Sequence, residues 1–576
     1  MKFTSSPVLA LRLPTWRSRL LAGLLVFGFA VLIGRAVWLQ GMNDDFLQAK
    51  GASRYSRVIE IPAHRGRITD RHGEALAIST PVKSVWAIPG EVTLGKSQLT
   101  RLSALLELPP QDIERRIADT TRDFVYLKRQ IPPEVADQVA ELRVPGLFQS
   151  REYRRYYPGG EVMAHMLGFT GVEDIGQEGI ELAFQSQLAG KVGSRRVIKD
   201  RLGQIVEDVG SIHEAEVGRD LTLALDAKIQ NLAFSSLRAA VEQHRAAAGG
   251  IVVLDATNGE VLALANLPTY NPNNRARLTG AQLRNRAVTD TFEPGSTLKP
   301  VTIALALESG KVRPDTIIQT APGSLTIGPA TIRDSHAAGP LTVAQVVQKS
   351  SNVGTAKIAL GLAPEAMWTM FQRVGFGAPP RLGFPGEASG RLRPFKTWRP
   401  IEQATMSYGY GISVSLTQLA RAYTMFARDG DLVPLSLTRL DAPPASQPVI
   451  SGETARAVRA MLEMAVQPGG TAPRAQIMGY RVAGKTGTAR KQEGGTYNHN
   501  KYIGYFVGFA PVSRPRLIIA VMIDEPSAGK YYGGEVAAPV FATVMSGALR
   551  SLGVPPDAPM KPVELPPEGR EVRESI

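Results

Sequence analysis

The sequence of 576 residues contains no cysteine, and this absence removes several kinds of chemistry at once. A disulfide framework, a thiolate zinc site and a cysteine nucleophile are all excluded, although an oxidising compartment is not. No P-loop and no dinucleotide-binding fingerprint occurs in the sequence. The seven histidines show no spacing typical of metal ligands. These patterns give no sign of a metal ion or an organic cofactor.

The charge balance narrows the class of partner without choosing one. Lys plus Arg number 66 against 52 for Asp plus Glu, a net charge of +14, and such a charge can favour nucleic acid, anionic lipid or an anionic polymer. Residues 151–160, REYRRYYPGG, mix arginine and tyrosine as an RNA-binding surface does, but no recognition module accompanies them. We interpret this stretch as a solvated, partly packed face and expect no nucleic-acid partner.

Long hydrophobic runs are also scarce, and the one that stands out covers residues 20–34 without a charge. Such a helix reaches about 22 Å, short of a hydrocarbon core of roughly 30 Å, unless Arg35 snorkels and the helix continues to Leu39. We predict a cytoplasmic segment at 1–19 and a single-pass anchor at 20–39, because basic residues on the N-terminal side favour a cytoplasmic location: Lys2, Arg12, Arg17 and Arg19. A cleaved signal peptide remains the alternative, although Gly34-Arg35-Ala36 is a poor cleavage site.

Two regions of different texture follow the predicted anchor. Residues 40–220 mix short strands with amphipathic stretches and predict an irregular α+β pedestal. Residues 221–552 open and close with helical patterns, and they contain two strand patterns around Thr257-Asn258-Gly259 and three more after residue 479. The simplest assembly is a five-stranded antiparallel sheet flanked by helices, with a helical subdomain formed by the intervening 267–478. Residues 553–576 hold six prolines and predict a flexible tail.

A possible nucleophile lies in FEPGSTLKP, residues 292–300. Ser296 and Lys299 are three residues apart and share one face of a helix. A serine hydroxyl needs a base that accepts its proton, and a lysine can serve if it is neutral. Pro300 removes an early helical hydrogen bond, so we expect an irregular first turn. Taken alone, this motif is also compatible with a helix cap and a surface lysine.

Two further motifs change that balance. KSSNVG places Ser350 and Asn352 between two helical runs, and AGKTGTAR places a cation and two hydroxyls on the first late strand: Lys485, Thr486, Gly487 and Thr488. A glycine inside a strand often marks the close approach of a ligand's backbone. The Ser-x-x-Lys, Ser-x-Asn and Lys-Thr-Gly motifs occur together, in this order, in penicillin-binding proteins and serine β-lactamases. RDSH, residues 333–336, holds Asp, Ser and His, but adjacent residues cannot form a triad by themselves.

With these motifs the chain resembles the class B penicillin-binding proteins, which are bitopic D,D-transpeptidases of peptidoglycan synthesis. Arg65-Gly66, Ile68, Asp70-Arg71 and Gly73 are similar to the first pedestal motif of that family, and 176–190 and 200–203 are similar to later ones. SYGYGISVSLTQLARAY, residues 407–423, resembles the septal, cell-division branch. The resemblance implies an inner-membrane protein with a cytoplasmic N-terminus and a periplasmic catalytic domain.

The resemblance also implies catalytic roles. Ser296 would be the acylated nucleophile and Lys299 its general base. Ser350, assisted by Lys485, would relay a proton to the leaving D-alanine. The amine of a second stem peptide would then attack the acyl-enzyme and close the crosslink, and a β-lactam would stall at the acyl stage.

Substrate-binding roles follow from the same resemblance. Asn352 would hold the peptide amide of a stem peptide that ends in D-Ala-D-Ala. Thr486, Gly487 and Thr488 would bind its terminal carboxylate, and the backbone N–H groups of Ser296 and Thr488 would form the oxyanion hole. A membrane glycosyltransferase of the SEDS type and other divisome proteins would be partners.

Other functions share part of this pattern. An elongation-type transpeptidase would have the same motifs without the septal stretch, whereas a serine β-lactamase or D,D-carboxypeptidase would pass the acyl group to water. A β-lactam sensor would add a signalling domain, and an inert scaffold would usually lack part of the motif set.

Overall fold

The N-terminal helix is the longest in the described structure. The structure is a computed structural model that describes residues 14–38, 56–199, 205–493 and 496–563. Helix α1, Thr15–Val37, contains 23 residues, none of them buried, and it spans about 34 Å at 1.5 Å per residue. The helix is long and apolar enough to cross a membrane. It starts five residues before the predicted span, at Thr15, which follows Pro14 at the N-cap with a non-helical ψ of 135°.

The pedestal consists of two small sheets with helices on one of them. Antiparallel strands form the first sheet in the order β1, β6, β7, and the second has the order β4, β3, β2, β8, with β5 paired to β3. The strands are β1 Ser56–Ile61, β2 Ile68–Thr69, β3 Ala75–Ala87, β4 Val125–Ile131, β5 Leu147–Tyr156, β6 Gly193–Lys199, β7 Ile205–His213 and β8 Leu221–Thr222.

The described part of the pedestal contains six α-helices: α2 Lys96–Leu106, α3 Pro110–Ile117, α4 Pro133–Glu141, α5 Ala164–Leu167, α6 Gly179–Ala183 and α7 Gln185–Leu188. The first three bury Leu102, Ile113 and Val139 against Val85 and Leu127 of the second sheet. The predicted irregular α+β pedestal is confirmed. This cluster is separate from the core of the larger domain, whereas other pedestal residues, such as Ile68 and Leu167, belong to one hydrophobic cluster with the larger domain.

The backbone joins the pedestal to the following domain without a free linker. Strand β8 pairs in parallel with β2 of the pedestal, and the next residue, Leu223, forms a bridge with Thr438. Asn273 donates to the carbonyl of Tyr157 at 2.8 Å and accepts from its N–H at 3.0 Å. The predicted boundary after residue 220 therefore falls within paired backbone.

The larger domain is built on one antiparallel sheet, as predicted. Its strands are β9 Ala248–Asp255, β10 Val261–Leu267, β17 Ala483–Glu493, β18 Thr496–Ala510 and β19 Leu517–Asp524, in the order β10, β9, β19, β18, β17. The turn between the first two requires glycine, since Gly259 has φ +78° and a Cβ there would lie 2.1 Å from the carbonyl oxygen of Pro434.

Helices cover both faces of this sheet, because side chains alternate between faces along each strand. Ile251 and Val253 of β9 pack with helices α8 Ala227–Gln243 and α20 Ala538–Ser551. Val252 and Leu254 face the other way, towards the helices of the long insertion. Every residue of β9, β10 and β19 is buried as a result.

The insertion between β10 and β17 is largely helical, and it also contains short ribbons that the sequence patterns did not indicate. The ribbons pair β11 Ile317–Gln319 with β14 Pro340–Thr342, β12 Ser324–Ile327 with β13 Ala330–Arg333, and β15 Asp431–Leu432 with β16 Gln447–Pro448. The helices are α9 Gly280–Leu283, α10 Arg286–Thr289, α11 Lys299–Glu308, α12 Val343–Lys349, α13 Asn352–Leu360, α14 Pro364–Arg373, α15 Pro400–Met406, α16 Leu416–Ala422, α17 Thr424–Ala427 and α18 Gly452–Val466, and α19 Gly533–Val536 follows the sheet.

The start of the predicted flexible tail, 553–576, is fastened to the domain. Asp557 accepts hydrogen bonds from the N–H groups of Arg481 at 2.7 Å and Ser513 at 3.0 Å. The Tyr480 hydroxyl donates to the carbonyl of Val554 at 2.7 Å. The prediction is therefore wrong for this part, because a high proline content does not prevent backbone groups from binding a neighbouring loop. Residues 564–576 lie outside the described residues.

Candidate active site

The Ser-x-x-Lys motif occupies an irregular helix start, as its sequence predicts. Residues Gly295–Leu298 form a 3-10 turn that continues directly into α11 at Lys299. Gly295 has φ +54°, a conformation that glycine adopts without strain, and Pro300 lies where a helix needs no N–H donor. Ser296 is 3% exposed and Lys299 is fully buried.

The second motif meets the first through two hydrogen bonds. Lys299 Nζ donates to the carbonyl of Ser350 at 2.6 Å and to its Oγ at 3.0 Å. Ser350 ends α12 in a left-handed conformation with φ +58°, which costs a non-glycine residue free energy and persists only where other contacts impose it. The fold thus brings Lys299 and Ser350 together across 51 residues of sequence.

Asp334 holds the loop that contains Ser350, and the sequence did not reveal this role. Its carboxylate accepts from Ser351 Oγ at 2.6 Å and from the N–H of Val353 at 3.0 Å. Ser351 Oγ in turn accepts from the N–H of Gly354 at 2.8 Å, which caps α13. Of the RDSH residues, Asp334 thus contacts the Ser-x-Asn loop and supports it.

Asn352 has one half of its amide engaged. Its Nδ2 donates to the carbonyl of Arg333 at 3.2 Å, whereas its Oδ1 is buried and has no hydrogen-bond partner among the described residues. A buried acceptor without a donor costs about 1–3 kcal/mol. The side-chain oxygen of Asn352, Oδ1, is therefore available to accept a hydrogen bond from an N–H group of a bound molecule.

The Lys-Thr-Gly motif lies on β17, which is an edge strand with β18 as its neighbour. Gly487 permits the strand to lie against the 3-10 turn, because a Cβ there would come within 2.9 Å of the carbonyl oxygen of Pro294 and of Thr297 Cγ2. The sequence predicts the close approach of a ligand's backbone at this glycine, and the close approach that the structure shows is that of the turn that contains Ser296. An edge strand also presents unpaired backbone groups to an extended ligand.

The side chains of this motif already make internal contacts. Lys485 Nζ donates to Thr486 Oγ1 at 3.3 Å, and Thr486 Oγ1 donates to Thr471 Oγ1 at 2.9 Å. Thr488 Oγ1 accepts from the N–H of Gly533 at 3.0 Å. All three residues are at most 1% exposed, so a carboxylate that binds Thr486 requires this chain of hydrogen bonds to rearrange.

The SYGYG stretch, residues 407–411, packs against the segment that contains Ser296 and Lys299. Gly409 has φ +94°, and a Cβ there would lie 2.2 Å from the carbonyl oxygen of Gly295. Lys299 Nζ lies 5.9 Å from the centroid of the Tyr408 ring. The hydroxyl of Tyr423, at the other end of the predicted septal stretch, donates to the carbonyl of Thr297 at 2.8 Å.

A cavity of about 530 Å³ continues from the motifs. Its walls include residues 291–293, just before the 3-10 turn, and 489–492, just after Thr488. Glu293 accepts from the N–H of Gly411 at 2.7 Å and from the Tyr497 hydroxyl at 3.0 Å, and burial raises the pKa of this carboxyl above its usual value. Within the described ranges no cluster of His, Asp and Glu could hold a metal ion.

Comparisons with known proteins agree with this arrangement. Residues 249–546 match the family model of the penicillin-binding protein transpeptidase domain, and residues 60–223 match that of the penicillin-binding protein dimerisation domain. The chain therefore belongs to the penicillin-binding protein family, as a transpeptidase with an N-terminal dimerisation domain.

Individual relatives and a solved structure show which members of the family this chain is similar to. The chain is 43% identical over 550 residues to the peptidoglycan D,D-transpeptidase FtsI of Escherichia coli, covering 94% of this chain and 93% of that protein. It is 44% identical over 536 residues to the probable peptidoglycan D,D-transpeptidase PenA of Neisseria gonorrhoeae, with 92% of each chain covered. The solved transpeptidase domain of Burkholderia pseudomallei penicillin-binding protein 3 is 50% identical, with a TM-score of 0.55, covering 58% of this chain and 98% of that one.

Proposed function

We propose that Ser296 performs the reaction of this chain through a covalent acyl-enzyme. The chain is a peptidoglycan D,D-transpeptidase of the septal type, since its two family models and its relatives named FtsI agree along almost its whole length. β-Lactam binding is typical of this family. The reaction is an acyl transfer between stem peptides, and the residues below are our assignment of its steps.

Acylation begins when a stem peptide lies along edge strand β17. Ser296 Oγ attacks the carbonyl carbon of the penultimate D-alanine, and neutral Lys299 accepts the proton from Oγ. The carbonyl oxygen becomes an oxyanion, which the backbone N–H groups of Ser296 and Thr488 stabilise. Asn352 Oδ1, a buried acceptor without a partner among the described residues, accepts the N–H of the substrate's peptide bond.

Collapse of the tetrahedral intermediate breaks the bond between the two D-alanines. The leaving nitrogen needs a proton, and Ser350 Oγ delivers it. Lys299 Nζ, 3.0 Å from that oxygen, then returns a proton to Ser350 Oγ. Lys485 assists this relay as a cation, and Thr486, Gly487 and Thr488 hold the terminal carboxylate. Free D-alanine then departs, and the donor peptide remains as an ester of Ser296.

Crosslinking runs the same steps in reverse with a different amine. The amine of a second stem peptide attacks the ester carbonyl, loses a proton to the relay, and displaces Ser296 Oγ, which recovers its proton from Lys299. A β-lactam mimics D-Ala-D-Ala, and because its leaving group stays attached to the acyl-enzyme, the second step stalls.

The membrane arrangement follows from the basic N-terminal flank. The relatives and helix α1 make this a membrane-anchored protein. The basic flank supports a cytoplasmic N-terminus, with the pedestal and transpeptidase domain in the periplasm. A glycosyltransferase of the SEDS type, which supplies nascent glycan in the same membrane, and other divisome proteins are the partners that we propose.

The observation that supports this function most is the contact between buried Lys299 and Ser350, which joins two of the three motifs beside Ser296. The proposed function is tested by measuring turnover of a thioester analogue of the donor peptide by the full chain in detergent. A saturating penicillin should abolish this turnover. Ser296→Ala should abolish turnover as well, whereas Ser309→Ala, an exposed serine at the end of α11, should not. Turnover that persists in Ser296→Ala would show that another group is the nucleophile.

A further inference from the structure

A second cavity, of about 310 Å³, lies where the pedestal meets the transpeptidase domain. We call it the joint cavity. The pedestal contributes Gln130, Arg154, Arg155 and residues 170–172, and the loop after β10 contributes 272–276. None of the three catalytic motifs reaches it, and the proposed transpeptidase reaction gives it no role.

Arginines line the joint cavity from both sides. They are Arg154, Arg155 and Arg275, and no acidic residue is among the described residues that line it. Arg154 Nη2 reaches the carbonyl of Asn273 at only 3.5 Å, the limit of a hydrogen bond. Arg275 donates to the carbonyl of Pro272 at 2.9 Å. Two exposed arginines from different domains therefore border one space, and the positive charge that they share favours an anion there.

The buried charges behind the cavity do not cancel this excess. Arg155 donates to Glu181 at 2.6 Å, and the same carboxylate accepts from Arg65 at 2.7 Å. With the carboxyl of Asp174, which Arg65 and Arg155 also influence, two acids stand against two arginines behind the cavity, so this group leaves the charges of Arg154 and Arg275 uncancelled. Arg155 Nη2 is buried without a hydrogen-bond partner among the described residues. Because this atom is inaccessible to solvent, Arg155 attracts an anion through its charge and does not bind it directly. The residues that contact the anion are then Arg154 and Arg275.

The rim of the cavity adds an apolar contact. Val172 lines it and is 49% exposed, and Ile175, on the same loop, is 51% exposed. The volume of about 310 Å³ leaves room for a side chain and not for a folded element. Guanidinium groups match planar carboxylates with paired hydrogen bonds.

We propose that the joint cavity binds the carboxylate side chain of an acidic segment of a partner protein, whose adjacent apolar side chain rests on Val172 and Ile175. Arg154 holds the carboxylate from the pedestal and Arg275 holds it from the transpeptidase domain. The occupant therefore bridges the two domains at a point remote in sequence from the catalytic motifs.

The test uses the full chain in detergent and a fluorescent peptide that alternates glutamate and valine. Two double variants remove the same charge from the same two segments. Arg154→Gln with Arg275→Gln changes the cavity, and Arg151→Gln with Arg277→Gln changes exposed neighbours outside it. Thermal unfolding of each variant shows that it is folded, and a single Arg275→Gln variant serves if the first double variant is not.

We expect saturable binding that weakens with salt and falls by at least about tenfold in the cavity variant, because two charge-assisted contacts are lost. The control variant should bind as the parent does. Equal binding by both double variants, equal binding of a glutamine–valine peptide, or the absence of saturable binding would overturn the proposal. Binding of inorganic phosphate to the parent protein without any binding of the peptide would also overturn it, in favour of a site for a free anion.

Discussion

Removal of the Asp334 carboxylate tests how the Ser-x-Asn loop is held. Asp334→Asn keeps the shape of the side chain but replaces an acceptor with a donor. The new amide nitrogen cannot accept from Ser351 Oγ, which now lies 2.6 Å from the carboxylate, and the contact to the N–H of Val353, at 3.0 Å, loses its charge. Ser350, whose φ of +58° depends on its surroundings, is then free to relax.

The magnitude follows from the hydrogen bond that is lost. A hydrogen bond to a charged group contributes about 1.5–3 kcal/mol. If this amount is felt wholly in the acylation transition state, the rate falls by about 10- to 150-fold, since each 1.4 kcal/mol is a factor of ten. Part of the loss will appear as lower stability, so we expect a fall of about tenfold or more in the second-order rate of acylation.

Stopped-flow acylation by a fluorescent penicillin measures this rate, and thermal unfolding measures the stability of the same samples. Asp315→Asn is the matched control, because Asp315 is an exposed aspartate in the same subdomain. Acylation of Asp334→Asn at the parent rate would refute the role of Asp334. A lower melting temperature with an unchanged rate would show that the carboxylate only stabilises the fold.

Three further predictions concern other parts of the structure. Gly409→Ala should displace the nucleophile segment, lower the free energy of unfolding by at least about 1 kcal/mol and slow acylation at least about fivefold. Gly310→Ala is the control, because Gly310 has φ +68° but open space where a Cβ would lie, so it shows the cost of the backbone strain alone. Equal effects of the two substitutions would contradict the packing argument. Burial lowers the pKa of His165 from 6.5 to about 4, so its contribution to stability is complete above pH 6.5 and lost as the pH falls towards 4. In His165→Gln, the free energy of unfolding should therefore change less with pH between 6.5 and 4 than it does in the parent. A D-amino acid acceptor should speed turnover of a thioester donor, and the penicilloyl adduct should survive for many minutes, because no glutamate between the second and third motifs precedes Leu-Asn in the β-lactamase pattern; rapid loss of the adduct without an acceptor effect would favour a hydrolase.

The sequence predicts the main sheet and the motif positions because these depend on local patterns. β-Branched runs and the Thr257-Asn258-Gly259 turn specify β9 and β10 with little help from distant residues. Pro294, Gly295 and Pro300 specify the irregular start of α11 in the same way. The three motifs could be placed together only through the family resemblance, and the structure shows Lys299 in contact with Ser350.

Other parts of the site depend on contacts that no local pattern reveals. Asp334 lies 17 residues from Ser351, in a short ribbon segment too brief to have a periodic signal. Glu293 meets Tyr497 across 204 residues, and the joint cavity combines residues of two domains. The tail prediction failed for a related reason, since Asp557 is ordered by loops far away in the sequence.

The central claim is that Ser296 forms the acyl-enzyme, and peptide mapping of the penicillin-labelled chain by mass spectrometry tests it most directly. We predict one penicilloyl adduct per chain, located on the peptide that contains PGSTLK, with fragment ions that place the added mass on Ser296. An adduct on Ser350, on another residue, or on the same peptide of a Ser296→Ala variant would contradict the account.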